Sequence, residues 1–388
     1  NILFNQIQEY LNQNSLIFEN QFGFRKNLNT KKCFLSILNE IHSNDDNNLI
    51  NFCVFLDLSK AFDSININNL LNKCNFNFNF SKNATDLIKN YLLDRTQITK
   101  VFNNLSKPLT TKKGVPQGSK LGPLLFIMYL NDIKNLNLFS KMFIYADDIT
   151  LICSAKSIQE LTDKCNSDLI KIENFCNSNH LKLNINKTKG MLMLNEENIG
   201  NILIDNKQIE IVKDFKILGY NLNYKLNFNN HFNILIKKLS RNVSILYKLN
   251  FIFPKKILNL IFNAIILSYI HYNDFLLNYL NVNMLKKVNV PYTSAQCIIF
   301  NCFKKSLHLY ENNKNLNYYK DNAFNQIVTK IVENKDNNND KIFFNYLKKS
   351  IAKTRSNYFV PRFNKNRNKL AFKFQFPKLL NSILNKKN

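Results

Sequence analysis

Two adjacent carboxylates at a predicted turn are the residues best suited to chemistry. Asp147 and Asp148 lie between two short apolar runs, 143–145 and 149–152, which predict the strands of a β-hairpin. Neighbouring Asp side chains repel each other at such a tip, and carboxylate oxygens are ligands that divalent metals prefer. The pair indicates a metal site, with a solvated turn as the alternative.

A third carboxylate follows a predicted buried strand. The apolar run 51–56 ends at Asp57, and a charge in that position is costly unless it is paired or bound to metal. Should Asp57 lie beside Asp147 and Asp148, the three could hold two Mg²⁺ ions about 4 Å apart for phosphoryl transfer. A strand-end cap is the alternative for Asp57, and helix capping is the interpretation we favour for Asp63.

A cluster of Gly and Pro precedes a strongly apolar predicted helix. Residues 114–123 contain three Gly and two Pro, with Gln117 and Gly118 just before the helix start at Leu121. Backbone exposed in this way suits close approach to a nucleotide or a template base.

The elements that must position these residues are mixed helices and strands. Residues 1–50 have helical patterns, and the later segments predict a strand, helices, an exposed hairpin, a helix capped by Ser157 and Glu160, and further strands up to residue 222. The strand spans 51–56, the helices span 66–74, 85–94 and 121–134, and the exposed hairpin lies within 96–113. The capped helix spans 158–176, and the further strands lie in 181–194 and 202–222. Helices follow from about residue 229, so we predict three regions, 1–228, 229–300 and a basic, partly flexible extension, 301–388.

The composition indicates a polyanionic partner. The chain of 388 residues is 45% hydrophobic, as a folded protein should be, and its formal net charge is +26. Residues 301–388 hold 19 Lys and Arg against 5 Asp and Glu. Codon bias towards Lys and Asn is the competing explanation, but it leaves the scarcity of acidic residues unexplained. We therefore favour nucleic acid as the partner.

Several features bear on where the protein acts. Its eight Cys show no C-x-x-C pair, which favours reduced thiols and an intracellular location, in the nucleus or the cytoplasm. The most apolar stretch, 257–280, is interrupted by polar residues and predicts a buried helix rather than a membrane span. The chain opens without Met or a signal-peptide pattern, and we expect a piece of a longer polypeptide.

Three motifs together resemble a known family. Asp57–Ile65, Gly114–Leu125 and Tyr145–Asp148 occur in the order and approximate spacing of the palm motifs of reverse transcriptases, and their wording resembles the non-LTR (LINE-type) retrotransposon branch. Further matches lie at 21–25, 183–189 and 216–220, and a weaker resemblance extends through the helical region that follows to the end of the chain. The resemblance implies an α+β, right-hand polymerase with partial fingers, a palm with an antiparallel sheet, a helical thumb and a basic C-terminal extension.

The resemblance also assigns roles to individual residues. Asp57, Asp147 and Asp148 would be catalytic and bind metal, with the carbonyl of Leu58 as a further ligand. The nucleotide and template would be contacted by Arg25, Phe62 as a steric gate, Gln117, Gly118 and Lys187, and the primer terminus by Leu218 and Gly219. Ordinary structural roles stay open for three positions: a salt bridge for Arg25, a solvated strand end for Lys187, and hairpin packing for the pair at 218–219.

The implied activity is RNA-directed DNA polymerisation. Two Mg²⁺ ions, or Mn²⁺ instead, would assist transfer of dNTPs onto a DNA primer 3′-OH along an RNA template, without a membrane partner. The alternatives are a catalytically decayed RNA-binding remnant and another polymerase class, such as a group II intron maturase or a viral RNA polymerase. Two departures from the family pattern are Lys120, usually apolar, and Asn273, frequently Gly.

Overall fold

The structure is a computed structural model that describes residues 2–195, 198–301, 316 and 319. The chain divides into two compact units, residues 1–218 and 219–388. The predicted boundary near residue 228 lies just before the first long helix of the second unit. Apart from Asn301, Leu316 and Tyr319, the predicted basic extension lies outside the described residues.

The first unit mixes helices with strands. Its helices are α1 (Ile2–Gln13), α2 (Thr30–Asp46), α3 (Ile67–Phe76), α4 (Lys82–Leu92), α5 (Leu121–Leu130) and α6 (Ile158–Ser178), with 3₁₀ turns at Ala61–Asp63 and Asn131–Asn135. Its strands are β1 (Ile50–Leu56), β2 (Thr96–Gln97), β3 (Lys100–Val101), β4 (Asn104–Leu105), β5 (Leu109–Thr110), β6 (Lys141–Tyr145), β7 (Asp148–Ala155), β8 (Lys189–Met193), β9 (Leu203–Ile204), β10 (Lys207–Gln208), β11 (Glu210–Ile211) and β12 (Asp214–Ile217).

A five-stranded sheet with the order β11-β8-β1-β7-β6 forms the centre of this unit. The apolar run predicted as a buried strand is β1, which pairs antiparallel with both β7 and β8. Strand β6 forms a hairpin with β7, and β11 runs parallel to β8. Because Leu56 pairs with Ile149, the next pair of positions holds Asp57, which directly follows β1, and Asp148, the first residue of β7.

Two helices show why the apolar pattern produces this core. Helix α5 is apolar on all sides and almost wholly buried, as a helix in the centre of a core should be. Helix α6 instead carries one buried stripe, which contains Leu161, Cys165, Leu169, Ile172 and Cys176. Its start is fixed as predicted, since the Ser157 hydroxyl accepts a hydrogen bond from the Glu160 N–H at 3.3 Å.

The predicted exposed hairpin is present between α4 and the Gly-rich motif. Strand β2 pairs with β5, and β3 pairs with β4 around the two-residue turn of Phe102 and Asn103. Every residue from 94 to 110 is exposed. We call residues 94–110 the exposed ribbon.

The second unit is largely helical. It contains β13 (Tyr220–Asn223), α7 (Asn229–Leu249), α8 (Lys255–Phe262), a π turn at Asn263–Leu267, α9 (Ser268–Asn273), a 3₁₀ turn at Asp274–Tyr279 and α10 (Val282–Phe300). Among the described residues, one helical run, Lys255–Tyr279, is long and apolar enough to cross a membrane, and 44% of its most apolar window is buried inside the fold. A core helix has the same properties.

Asn273 has a clear structural task in this unit. Its side chain is buried, its Oδ1 lies 2.6 Å from Nε2 of His231, and its Nδ2 donates to the Tyr269 carbonyl at 2.8 Å. Nδ1 of His231 accepts the Asn221 N–H at 3.2 Å, so the neutral imidazole carries its proton on Nε2 and donates it to Asn273. The residue that departs from the family pattern therefore joins α9 to α7.

Candidate active site

The two adjacent carboxylates lie at the tip of the β6–β7 hairpin. Tyr145 pairs with Asp148, which leaves Ala146 and Asp147 as a two-residue turn. Ala146 is buried and has φ 60°, in the left-handed region, where a residue with a Cβ costs roughly 1–2 kcal/mol. The surrounding structure must therefore hold this turn in place.

Asp57 is held at the same end of the sheet by the segment after α6. Its carbonyl accepts the Asn184 N–H at 2.8 Å, and its own N–H lies 3.5 Å from Oγ1 of Thr188. The next residue, Leu58, forms a bridge with Leu183. These backbone contacts extend the pairing beyond β1. They keep Asp57 beside the two-residue turn of Ala146 and Asp147, which we call the carboxylate turn.

The carboxylates influence one another electrostatically. The pKa of Asp148 is raised. Desolvation by the surrounding protein is the largest cause, and the negative charges of Asp147 and Asp57 come next. Lys187, which is 70% exposed at its side chain, has its Nζ 3.8 Å from Oδ2 of Asp57. An exposed pair at that distance contributes little, so the group retains a strong excess of negative charge.

The donor set suits a divalent cation. Carboxylate oxygens are the ligands that Mg²⁺ takes, and crowded negative charge of this kind is relieved by binding a cation. Within the described residues, however, no group of three His, Cys, Asp or Glu side chains is already arranged to hold a metal ion. Strand register thus brings Asp57 and Asp148 to neighbouring positions, and the three carboxylates influence one another electrostatically. In the part of the chain that the structure describes, they do not form a preformed three-ligand cluster.

The Gly-rich motif is joined to the Asp57 motif through the backbone. The Gly114 N–H donates to the Ile65 carbonyl at 2.8 Å, and the Val115 N–H donates to the Phe62 carbonyl at 3.0 Å. Gly114 has φ 83°, and a Cβ there would lie 2.9 Å from the Cα of Asp63. Glycine is required at this position because the two motifs touch.

Gln117 is oriented by a residue that the sequence suggested for another task. Its Nε2 donates to Oδ1 of Asp63 at 2.8 Å, whereas Asn66, and not Asp63, caps the following helix. Gly118 has φ 80°, and a Cβ there would meet nothing within 4 Å. Gln117 is therefore anchored next to open space that can admit a ligand.

Two further residues define this side of the site. The Phe62 ring lies 4.5 Å from the ring of the buried Phe126 and 6.3 Å from that of Phe24, so its position is set by packing. Lys120, the other departure from the family pattern, has its Nζ 4.8 Å from the ring centre of Phe4, and this cation–π contact gives the charge a partner at a helix start, where a cation is otherwise disfavoured.

Arg25 contacts its own loop. Its Nη1 donates to the carbonyls of Phe18 at 2.9 Å, Glu19 at 3.3 Å and Gln21 at 3.2 Å. Burial lowers the pKa of Arg25, although Glu19 opposes that change. These bonds give Arg25 a bracing role that the sequence alone did not indicate, and its contact with a template or nucleotide stays a prediction.

The predicted primer-contacting pair forms a tight turn. Leu218 has φ 48° and Gly219 has φ 83°. On the first side of the turn, Phe215 stacks on Phe55 of the central strand at 4.5 Å. On the second side, a Cβ at Gly219 would lie 2.9 Å from the Tyr272 hydroxyl. Each flank is thus packed within its own unit, and the contact of this pair with a primer stays a prediction.

Two residues that contact the site had no signal of their own in the sequence. Gln21 and Gly23 contact Ala146 in the carboxylate turn, 125 residues away in the case of Gln21. The segment 21–25 resembles the family's fingers, but nothing in its spacing indicates this partner. Only the fold brings the segment and the turn together.

The first unit combines helices and a sheet with carboxylates at the ends of two neighbouring strands, an arrangement that fits a polymerase fold. Residues 1–222 match the family described as reverse transcriptase (RNA-dependent DNA polymerase). The chain belongs to this family, as its motifs predict.

Sequence relatives come from mobile elements of Drosophila melanogaster. The chain is 29% identical over 195 residues to the probable RNA-directed DNA polymerase from transposon BS, covering 48% of this chain and 21% of the relative. It is 26% identical over 221 residues to the RNA-directed DNA polymerase from mobile element jockey, covering 54% and 24%. The prediction of a LINE-type domain is confirmed, and the chain matches only about a quarter of the length of these relatives.

Solved structures of telomerase show a weaker similarity. Telomerase from Candida albicans, in complex with a fragment of telomeric RNA, has a TM-score of 0.45 and 10% identity, covering 80% of this chain and 56% of that one. Apo telomerase from Candida tropicalis has a TM-score of 0.44 and 13% identity, covering 80% and 51%.

Proposed function

We propose that this chain catalyses template-directed DNA synthesis on RNA, joining dNTPs to the 3′-OH of a DNA primer. The observation that carries the proposal is the strand register, which puts Asp57 next to Asp148 at the carboxylate turn of a reverse transcriptase family member. Desolvation and then the negative charges of Asp147 and Asp57 raise the pKa of Asp148, and this crowding of carboxylates supports a role in binding cations.

The carboxylates are the proposed metal ligands. Asp57, Asp147 and Asp148, with the carbonyl of Leu58, would hold two Mg²⁺ ions, with Mn²⁺ as a substitute. Such ions, when bound, supply activation of the attacking hydroxyl and stabilisation of the leaving pyrophosphate. Lys187 would neutralise or protonate the departing group, and its exposed ammonium near Asp57 supports that role.

The Gly-rich motif is the proposed nucleotide pocket. Gln117, held by Asp63, and Gly118, beside open space, would contact the incoming nucleotide and the template. Phe62, whose ring is fixed against Phe126, would stack on the sugar and exclude a 2′-OH. A ring backed by a buried aromatic side chain suits steric exclusion.

The finer architecture follows from the same proposal. Residues 1–228 would form partial fingers and the palm, residues 229–300 the helical thumb, and residues 301–388 a basic extension that binds nucleic acid through its phosphates. The template, primer and dNTPs would be the partners, in the nucleus or the cytoplasm. A catalytically decayed RNA-binding remnant is the second candidate, because a net charge of +26 favours nucleic-acid binding with or without catalysis.

Primer extension tests the proposal. Wild type and Asp147→Asn are compared on poly(rA)/oligo(dT) with Mg²⁺, and binding of the same duplex is measured in parallel. Extension by the wild type that is lost in the variant, with duplex binding retained, supports the polymerase. Tight RNA binding by a wild type that extends no primer supports the remnant instead.

A further inference from the structure

We propose that Gln21 is a positioning residue that holds the carboxylate turn, Ala146–Asp147, in its working conformation. The inference rests on the proposed function for its catalytic consequence. The contacts that carry it are independent of that function. We call Gln21 and Gly23 the turn clasp.

The side chain of Gln21 is buried and bonded to the turn itself. It is 3% exposed, and its Oε1 accepts the Ala146 N–H at 3.0 Å and the Gly23 N–H at 2.8 Å. Its Nε2 lies 3.5 Å from the Ala146 carbonyl, at the limit of hydrogen bonding. One amide group thus contacts both polar backbone groups of Ala146.

The backbone around Gln21 extends the sheet. Gln21 forms a parallel bridge with Ile144, the Phe22 N–H donates to the Ile144 carbonyl at 2.7 Å, and the Ile144 N–H donates to the Asn20 carbonyl at 2.9 Å. Strand β6 is the outermost strand of the sheet, so this segment covers its free edge beside the turn. Arg25 then locks the segment by bonding three of its carbonyls.

Gly23 brings the clasp into direct contact with the turn. A Cβ at Gly23 would lie 2.3 Å from the backbone nitrogen of Ala146 and 2.9 Å from its Cα. Backbone atoms cannot give way as a flexible side chain can. Only glycine therefore allows this approach.

The turn needs such support for two physical reasons. Ala146 is in the left-handed region, which a residue with a Cβ avoids when it is free to relax. Asp147 and Asp148 follow it directly, and their negative charges repel each other. The clasp opposes both tendencies, and it thereby sets where the two carboxylates point.

Hydrogen exchange in metal-free protein is the direct test. Gln21→Leu removes the acceptor and should speed exchange in a peptide spanning residues 144–149 by about tenfold, since a buried N–H loses its partner. Gln21→Glu keeps an acceptor for both N–H groups but turns a carboxylate oxygen towards the Ala146 carbonyl, so it should restore part of the protection. Asn51→Leu is the matched control, because Asn51 is a buried, hydrogen-bonded amide at the far end of β1.

Primer extension then separates positioning from general stability. For Gln21→Leu we expect the Mg²⁺ concentration that gives half-maximal rate to rise about tenfold, with duplex affinity changed less than twofold. Asn51→Leu should leave both unchanged. Unaltered exchange at the turn in Gln21→Leu, or an equal change in Asn51→Leu, would overturn the proposal. A wild type that extends no primer refutes the proposed function only, because the exchange measurement still decides the clasp.

A second inference comes from the exposed ribbon, which we infer binds single-stranded nucleic acid. Apolar side chains are uncovered on it, at Ile98, Val101, Phe102, Leu105 and Leu109, and Phe102 at the tip is 92% exposed. An isolated two-stranded ribbon is marginally stable in water, so such side chains gain from a partner.

Charge identifies the kind of partner. The ribbon contains three basic residues, Arg95, Lys100 and Lys107, and one acidic residue, Asp94, and Lys112 and Lys113 follow shortly after it. Basic side chains between exposed aromatic and aliphatic ones suit a strand whose phosphates meet the charges and whose bases stack on the apolar groups. The single-stranded template entering or leaving the proposed site has both features.

Binding of a single-stranded RNA 12-mer by the full chain tests this surface. Phe102→Ser should weaken binding about tenfold, and Lys100→Ala should lower the slope of log affinity against log salt by about 0.7. Phe76→Ser is the control, because Phe76 is 81% exposed at the end of α3, outside the ribbon. Unchanged affinity and slope would overturn the inference, as would self-association that Phe102→Ser abolishes.

Discussion

Two hairpins in the first unit have similar turns and different surroundings. The β6–β7 hairpin turns at Ala146 with φ 60°, and the exposed ribbon turns at Phe102 with φ 52°. Strand β7 pairs on both sides, and its turn is held by Gln21, whereas β3 and β4 pair only with each other. Chemistry needs atoms fixed in place, and that requires tertiary contacts that a lone hairpin lacks.

Hydrogen exchange should show the largest difference between the two hairpins. Amides of β7, such as that of Leu151, should exchange at least about a thousandfold more slowly than those of the ribbon, since opening a central strand requires most of the global unfolding free energy. Exchange measured by mass spectrometry reports both segments at once. Equal protection would show that the ribbon is covered in solution and would break the comparison.

Cysteine alkylation should give the next largest contrast. Burial and then the charge of Asp148 raise the pKa of the Cys33 thiol. The thiol is therefore neutral and shielded up to alkaline pH, because a raised thiol pKa keeps the unreactive form. A cysteine introduced at the ribbon tip, Asn103→Cys, should react with iodoacetamide at least about a hundredfold faster at pH 8. Comparable rates would show that the packing of α2 around Cys33 opens readily.

Substitution of Gly23 should break the support of the catalytic hairpin. Gly23→Ala puts a Cβ against the backbone of Ala146, and we expect a loss of about 1–3 kcal/mol in stability with at least a tenfold fall in extension rate. Gly118→Ala is the matched comparison. The backbone there is strained for an alanine, at φ 80°, but the added Cβ would contact no other atom. This substitution should cost about 1 kcal/mol in urea unfolding. A larger loss of stability in Gly118→Ala would contradict this account.

Removal of the ribbon should have the smallest effect on stability. Replacing residues 97–109 by a short Gly/Ser linker removes no buried side chain, so we expect Tm to change by less than about 2 °C. Calorimetry on the full chain measures it. A fall in Tm of several °C would mean that the ribbon packs against the fold. The two hairpins would then differ less in their tertiary contacts than we infer.

Local pattern was sufficient for several predictions about the fold. The run before Asp57 is the central strand β1, Ser157 caps α6, and residues 96–113 contain an exposed hairpin. Each depends on residues close together in the chain, where periodicity and turn chemistry act directly. Exposed backbone was predicted in the Gly-rich motif for the same reason, and Gly118 is exposed whereas Val115 and Gly122 are buried. The order of the motifs predicted the family.

Long-range contacts had no such signal. Gln21 bonds to Ala146 across 125 positions, and Gln117 bonds to Asp63 across 54. Arg25 bonds to carbonyls of its own loop, although its residue type is equally suited to a phosphate. A hydrogen bond depends on where a donor ends up in space, and one sequence offers many partners of the same chemistry.

The amino-acid sequence by itself determined which groups can do chemistry: the acidic residues at 57, 147 and 148, a Gly-rich loop and an excess of basic charge. It also determined the local elements that carry them. The tertiary structure alone decided how those groups are held, through strand register beside Asp57, the Asp63 anchor on Gln117 and the clasp on Ala146. The reason is that composition and periodicity act over a few residues, whereas register and close packing exist only after distant segments have met.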